Sequence, residues 1–428
     1  PKENFPKGGI ASSASVPLTV TTRAQGFPIL ITPVLTRIYS PSDFGLFALY
    51  SATIALVIVF ITARYENAIM LPSDEIDAVN VLGLSVFITI SISVIISIIV
   101  ILFNEEFAKL IGGDVIKKWL FFGPVTVFFT GIYQSFYNYL NRQGYYKKMA
   151  YVMIIQAVTT AFVNLILGWA WIGAIGLLIS VIVGQFVATA IIVFDLLLIN
   201  KENIKSICWP KMRKQALRYV KFPLYDGPSG FINVFANQIP VFMFNKVFGS
   251  NVVGTYSLTN KIIGAPSSLI ANSILGVFRQ RATSDYAKNG ECIYIYKKTL
   301  KSLVLLSIIP FIVLVFFSPA LFQFIFGSKW REAGEFASIM SFMFIVRFIV
   351  SPLSYMFFIA EKQFYDFIGQ VILFIVIVVG ISIGIYYKNV KLSIAGFTVG
   401  YSLCYLWYLY MSYKLAKGTH LRDIKKYD

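Results

Sequence analysis

The stretch VFITISISVIISIIVILF, residues 86–103, holds no charged side chain and no proline. As a helix it would extend about 27 Å, close to the roughly 30 Å hydrocarbon thickness of a bilayer. A second run, VILFIVIVVGISIGI at 371–385, has the same character. Neither sustains the alternation of lipid-facing and lumen-facing residues that a barrel strand needs, whereas a helix satisfies its backbone polar groups internally. Both are read as membrane-spanning helices.

Working outward, apolar windows recur near 10–38, 44–70, 79–103, 115–140, 149–169, 173–199, 216–246, 252–280, 299–326, 335–360, 364–387 and 392–416. The predicted fold class is an all-α polytopic membrane protein with about twelve transmembrane helices. Composition agrees, because only 13% of residues are charged against roughly 25% in soluble domains. The first window lacks a short apolar core with a small-residue cleavage site, so it is expected to be a retained helix.

The net charge of +17 is explained by topology. Its cations concentrate in alternate connections, among them Arg142, Lys147, Lys148, Lys201, Lys205, Lys211, Arg213, Lys214, Lys297, Lys298 and the C-terminal tail. Cytoplasmic loops retain such residues, so both termini are expected in the cytoplasm and no nucleic-acid partner is implied. Cys208, Cys292 and Cys404 have no paired spacing, and the single histidine, His420, lies in the polar tail. Neither a disulfide framework nor a metal site follows. Phosphate-loop, nucleophile-elbow and zinc motifs are missing from the sequence, and neither a cofactor nor an enzymatic role is expected.

The polar segment NKENIKSICWPKMRKQ, 200–215, divides the windows six and six. The expected organisation is an N-lobe at 1–200, a cytoplasmic linker at 201–215 and a C-lobe at 216–428. Across the linker, RIYSPSDFGLF at 37–47 aligns without gaps to KVFGSNVVGTY at 246–256, and LNRQGYY at 140–146 to IAEKQFY at 359–365. Six spans per half make these parallel repeats, two six-helix lobes around a central cavity. The first and seventh spans, interrupted by Pro17, Gly26, Pro28 and Pro33 and by Pro223, Gly227, Pro228, Gly230 and Pro240, are expected to line it. Two GxxxG motifs, Gly380/Gly384 and Gly396/Gly400, mark close helix packing.

Three cations, Arg23, Lys261 and Arg347, lie well inside apolar windows. Each costs roughly 2.5 to 3.5 kcal/mol at a bilayer centre, so such groups face a wet cavity or a partner. Arg presents a donor fork suited to phosphate oxygens and Lys a point charge, so a diphosphate or acidic sugar would satisfy them. Asn233 and Asn237 continue a helical stripe from Asp226 and Gly230 and are expected to contact the same substrate. Asp226 pairs with Lys221 or Lys261 on this reading, or serves proton or cation coupling. Arg64 and Glu66 form either a gate or an interfacial ion pair.

LTRIYSPSDFGLF at 35–47, RYENAIMLP at 64–72 and KFPLYDGPS at 221–229 together resemble the polysaccharide transporters that flip O-antigen or capsule repeat units, the Wzx-type flippases. The resemblance extends over nearly the whole chain. It implies a multidrug/oligosaccharidyl-lipid/polysaccharide (MOP) exporter fold working by alternating access. The implied cargo is an undecaprenyl-pyrophosphate-linked oligosaccharide, turned from the cytoplasmic to the outer leaflet of a bacterial inner membrane. Membrane lipids and a polysaccharide polymerase machinery are the implied partners. Two alternatives stay open. One is a multidrug extruder of the same fold, which would carry acids where this chain carries Arg and Lys; the other is a membrane polysaccharide polymerase or ligase, which would need a larger outer loop.

Single cysteines at Ser40 and Ser250, in a background without native cysteines, are expected to react with an impermeant thiol reagent in intact cells. One at Asn289 is expected to be protected. Labelling in the opposite pattern would reverse the assigned orientation.

Overall fold

A computed structural model describes residues 26–418 of the chain, apart from Trp171 and Asn200. Every regular element among these residues is helical. In chain order they are α1 (Thr32–Ile38), α2 (Pro41–Ile58), α3 (Tyr65–Ala68), α4 (Glu75–Ile111), α5 (Asp114–Leu120), α6 (Gly123–Arg142), α7 (Tyr146–Trp169), α8 (Ala174–Ile199), α9 (Lys201–Lys205), α10 (Trp209–Arg218), α11 (Gly227–Phe248), α12 (Ser250–Asn289), α13 (Ile293–Phe326), α14 (Arg331–Leu353), α15 (Met356–Ile359), α16 (Gln363–Tyr386) and α17 (Val390–Ala416). Among the described residues, nine helices are long and apolar enough to cross a membrane. The chain is a multi-pass membrane protein. Of the other expected spans, 10–38 falls largely outside the described residues, while 115–140 and 216–246 are helical but more polar, as α5–α6 and α11.

The aligned repeat segments each form a corner between two helices, by different means. In the first, α1 stops at Ile38 and Ser40 caps α2, its hydroxyl accepting from the Asp43 amide while Asp43 accepts from the Ser40 amide. This is a capping box, and Pro41 at the first helical position suits the entry. In the second, α11 stops at Phe248 and Gly249, at the position aligned with Ser40, turns the chain with φ +84° into α12. A left-handed φ of that kind favours glycine, which lacks the Cβ that would clash.

Two compact units result, Pro1–Lys246 and Val247–Asp428. In the first, α4 packs on α6 through the paired hydroxyls of Ser85 and Ser135, 2.6 Å apart, with Gly131 against Thr89. Tyr65, Ile69, Val79, Leu82, Phe136, Tyr139 and Leu196 are buried together in its core. Amphipathic α10 lies against α4, where Asn80 accepts a hydrogen bond from the Cys208 amide at 3.1 Å. Buried Asn164, on α7, accepts from the Ser180 hydroxyl of α8 at 2.6 Å, and its carbonyl accepts from the Tyr39 hydroxyl at 2.8 Å. Polar side chains thus meet each other where lipid would leave them unpaired.

In the second unit, the two GxxxG motifs meet: Gly380 of α16 lies against the Gly396 carbonyl of α17, and Gly384 against Ser393. With no Cβ between them the backbones approach closely, the source of van der Waals attraction between helices that share no hydrophobic drive in lipid. Gly334 of α14 fits against the Ser318–Pro319 backbone of α13, and the Thr259 hydroxyl of α12 donates to the Ala333 carbonyl at 2.8 Å. Cys292, in the connection before α13, is buried, and that burial pushes its thiol up to about 12.

A Cβ on Gly396 would stand 2.2 Å from the Gly380 carbonyl oxygen. Gly396→Val is therefore expected to destabilise the protein by about 1–3 kcal/mol, as overpacking does. Gly276→Ala, which meets nothing within 4 Å, is expected to be neutral or stabilising, since glycine is the weaker helix former. Thermal unfolding of the purified variants checks both, and equal behaviour would remove the packing argument.

Candidate functional site

The first unit gathers a charged cluster at the turn after α2. Ala63 and Arg64 take φ +48° and +64° there, left-handed values that cost non-glycine residues of order 1–3 kcal/mol. Arg64 Nε lies 3.2 Å from Asp226 Oδ2, and Nη1 lies 3.8 Å from Glu66 Oε1. Asp226 Oδ2 also accepts from Asn67 Nδ2 at 3.0 Å. Glu66 is buried and takes the Thr62 hydroxyl on its other carboxylate oxygen. Asp226 closes a π-helical turn, Phe222–Asp226, that leads directly into α11. One turn along α11, Gly230 gives the guanidinium its place, since a Cβ would stand 2.0 Å from Nη2. Phe60 and Phe231 meet beside it with ring centroids 5.5 Å apart.

Arg64, Glu66 and Asp226, named from the sequence as gate or coupling residues, are thus brought together. Asp226 takes Arg64 rather than Lys221 or Lys261 as its partner. Thr62, Asn67 and Gly230 complete the cluster and went unrecognised as its members, because nothing local in the sequence ties residue 67 to residue 226. A neighbouring group also escaped sequence reading. Glu75 pairs with Arg142 at 3.3 Å and accepts from Tyr139 and Gln143, while Arg142 donates to the carbonyls of Ile69 and Met70 at 3.3 Å each. Asn233 and Asn237 are exposed on α11, where Asn237 Nδ2 donates to the Asn233 carbonyl at 2.8 Å.

The second unit places Lys261 on α12 and Arg347 on α14. Lys261 is half-buried, and no hydrogen bond or ion pair joins it to any described residue. One turn further, a Cβ on Gly264 would stand 3.5 Å from the ring of Phe344, on the helix that carries Arg347. The guanidinium of Arg347 stands 6.0 Å from the centroid of Tyr401 on α17. Tyr401 stacks on Tyr405 at 4.6 Å, and Phe397 sits edge-on between Tyr401 and Tyr256, at 5.9 and 6.2 Å. No described carboxylate forms an ion pair with Arg347. The aromatic wall attracts the cation through its ring quadrupoles without cancelling its charge. Tyr401 and Tyr405 were not singled out from the sequence, although their i, i+4 spacing puts them on one helix face. Arg23 lies outside the described residues.

Solved transporter structures share this fold. The lipid II flippase MurJ in an inward closed conformation is similar over 93% of this chain and 89% of that one, at 13% identity and a TM-score of 0.68. The MATE multidrug transporter DinF-BH is similar over 96% and 95%, at 14% identity and 0.63. A MOP superfamily transporter from Pyrococcus furiosus, described as having a binding pocket of reverse polarity, is similar over 95% and 96%, at 15% identity and 0.57. These likenesses establish the fold as that of the MOP superfamily transporters. No curated protein sequence matches the chain. The family of polysaccharide biosynthesis proteins matches residues 34–335, and the chain belongs to it.

The Arg64–Asp226 pair is partly exposed, with side-chain exposures of 24% and 43%. Pairs of that exposure contribute about 0–1 kcal/mol. A double-mutant cycle with Arg64→Gln and Asp226→Asn is expected to give a coupling energy below about 1 kcal/mol in thermal or denaturant unfolding. Coupling of about 3 kcal/mol or more would mark a permanently closed structural bridge.

Proposed function

We propose that the chain is a flippase. It turns an undecaprenyl-pyrophosphate-linked oligosaccharide, an O-antigen or capsule repeat unit, across the bacterial inner membrane by alternating access of two six-helix lobes. The observation that carries this reading is the pair of membrane-helix cations in the second unit, Lys261 and Arg347, which no described carboxylate neutralises. A cation held without an internal counter-ion in such a helix is best explained by a counter-ion that comes and goes. An anionic cargo supplies one, and membership of a polysaccharide biosynthesis family makes a lipid diphosphate carrying sugars the fitting anion.

In this mechanism Lys261 and Arg347 hold the diphosphate, Arg347 oriented by Tyr401 and Lys261 acting as a point charge. Arg23 of the first span adds a third cation, and Asn233 and Asn237 offer amides to sugar hydroxyls. The Arg64–Asp226–Glu66 cluster serves as the gate: its ion pair fastens the turn after α2 to the start of α11 in one state and releases in the other. Protonation of an acid in this cluster would couple the cycle to a proton gradient. The lobes comprise 1–200 and 216–428, joined by 201–215, with both termini cytoplasmic.

Lys261→Gln and Arg347→Gln are each expected to impair outer-leaflet delivery of the lipid-linked repeat unit while membrane abundance is retained. Adding Arg23→Gln should abolish it, and Arg347→Lys should rescue only partly because the donor fork is lost. Normal delivery by the triple variant at wild-type abundance would overturn the anion-binding role.

A further inference from the structure

A separate cavity lies within the first unit, its Phe235 stacked on Phe231 at 6.0 Å. This cavity, of about 540 Å³, opens between α2, α4, α6 and α11, within the 300–1,000 Å³ range of small-molecule sites. Its walls are apolar, with Leu56, Val57, Ile96, Phe235 and Ile239 among them. The lining on α4 runs from Ile96 to Ile111, about 22 Å of helix. A volume of this size spread over such a length is narrow: it suits one chain rather than a compact ring system.

One polar side chain in the wall is out of keeping with the rest. Asn104 is 5% exposed and lines the cavity, yet neither its amide nitrogen nor its amide oxygen has a hydrogen-bond partner among the described residues. A buried polar group left unpaired costs about 1–3 kcal/mol, so such a group calls for a partner. Its position says which kind. The apolar run 86–103 ends immediately before it, and the exposed Glu105 and Glu106 follow. Asn104 therefore stands at the end of the uncharged run, with Phe107, Leu110 and Ile111 continuing the cavity wall past it, and among the described residues it is the one polar amide there to which the junction of a lipid's chain and headgroup can bond. The α4 helix also departs from helical geometry at Phe103, with φ −122° and ψ +23°.

We infer that this cavity binds a single long hydrocarbon chain of an amphiphilic lipid, with Asn104 hydrogen-bonded to the oxygens that link chain to headgroup. The amide nitrogen donates to an ester or phosphate oxygen, and the amide oxygen accepts from a headgroup hydroxyl. The chain runs along α4 between α2 and α11. This site does not depend on the assignment of the cargo: a resident phospholipid and the polyprenyl chain of a lipid-linked substrate share the required chemistry.

The test uses full-length, delipidated protein and two probes with a diazirine in the hydrocarbon chain, a palmitoyl phosphatidylglycerol and an undecaprenyl phosphate analogue. Photoadducts are expected on cavity-lining peptides of α4, α6 and α11. Leu56→Trp and Ile96→Trp, which fill the space from two sides, should remove them in protein that remains folded. Asn104→Leu should weaken probe binding about thirtyfold, the loss of two hydrogen bonds, while raising the melting temperature of the lipid-free protein because an unpaired amide is removed. Adducts that unlabelled undecaprenyl phosphate displaces assign the site to the cargo chain, whereas adducts that only phosphatidylglycerol displaces assign it to a resident lipid. Unchanged adduct yields in both folded Trp variants would overturn the inference. So would an Asn104→Leu protein that melts higher yet binds both probes as before, which would mean that Asn104 holds only water.

Discussion

Hydrocarbon offers no hydrogen bonds, and this structure is arranged around that constraint. Each span satisfies its own backbone as a helix, which leaves helix association to close contact and to polar side chains that find each other. Gly380 on Gly396, Gly384 on Ser393, Gly184 on Thr160 and Gly334 on Ser318 supply the close contacts. Ser85 with Ser135, Asn164 with Ser180 and Thr259 with the Ala333 carbonyl supply the polar ones. Removing a single Cβ at these crossings lets backbones touch, and a hydroxyl placed there gains a partner that lipid would withhold.

The same constraint sorts the charges. Arg142 takes Glu75, Lys148 takes Asp195, and Arg64 takes Asp226 and Glu66. Lys261 and Arg347 depart from this pattern among the described residues, one without a partner and the other against tyrosine faces. In a medium where an unpaired charge is expensive, two helix cations left without a carboxylate are what motivates the proposal of an anionic cargo. Asn104 follows the same reasoning with an amide in place of a charge.

Strain accompanies the Arg64 cluster. Two consecutive non-glycine residues in left-handed conformation, Ala63 and Arg64, bring the guanidinium to Asp226, and Gly230 leaves room for it. The protein holds a strained turn against a weak, half-solvated ion pair. The pair joins the turn after α2 to the start of α11, and under the proposed gating a strained turn held by a weak pair would suit a reversible step.

Much of the fold was legible in the sequence because its signals are local. Apolar windows gave the spans, the aligned segments at 37–47 and 246–256 gave two corners capped at Ser40 and Gly249, and GxxxG spacing gave the α16–α17 crossing. Arg64, Glu66, Asp226, Lys261 and Arg347 were also marked, since a charge inside or beside an apolar window is conspicuous without any structure. What each of them meets was not legible. Asp226 and Asn67 are 159 positions apart, the tyrosine beneath Arg347 comes from a helix that enters the sequence after two others have passed, and the space around Asn104 is left by four helices together. Hydropathy and periodicity act over one or a few turns, so the sequence by itself determined the helices, their breaks and the presence of intramembrane charge. Partner choice and empty volume depend on how distant helices pack, and only the tertiary structure decided them.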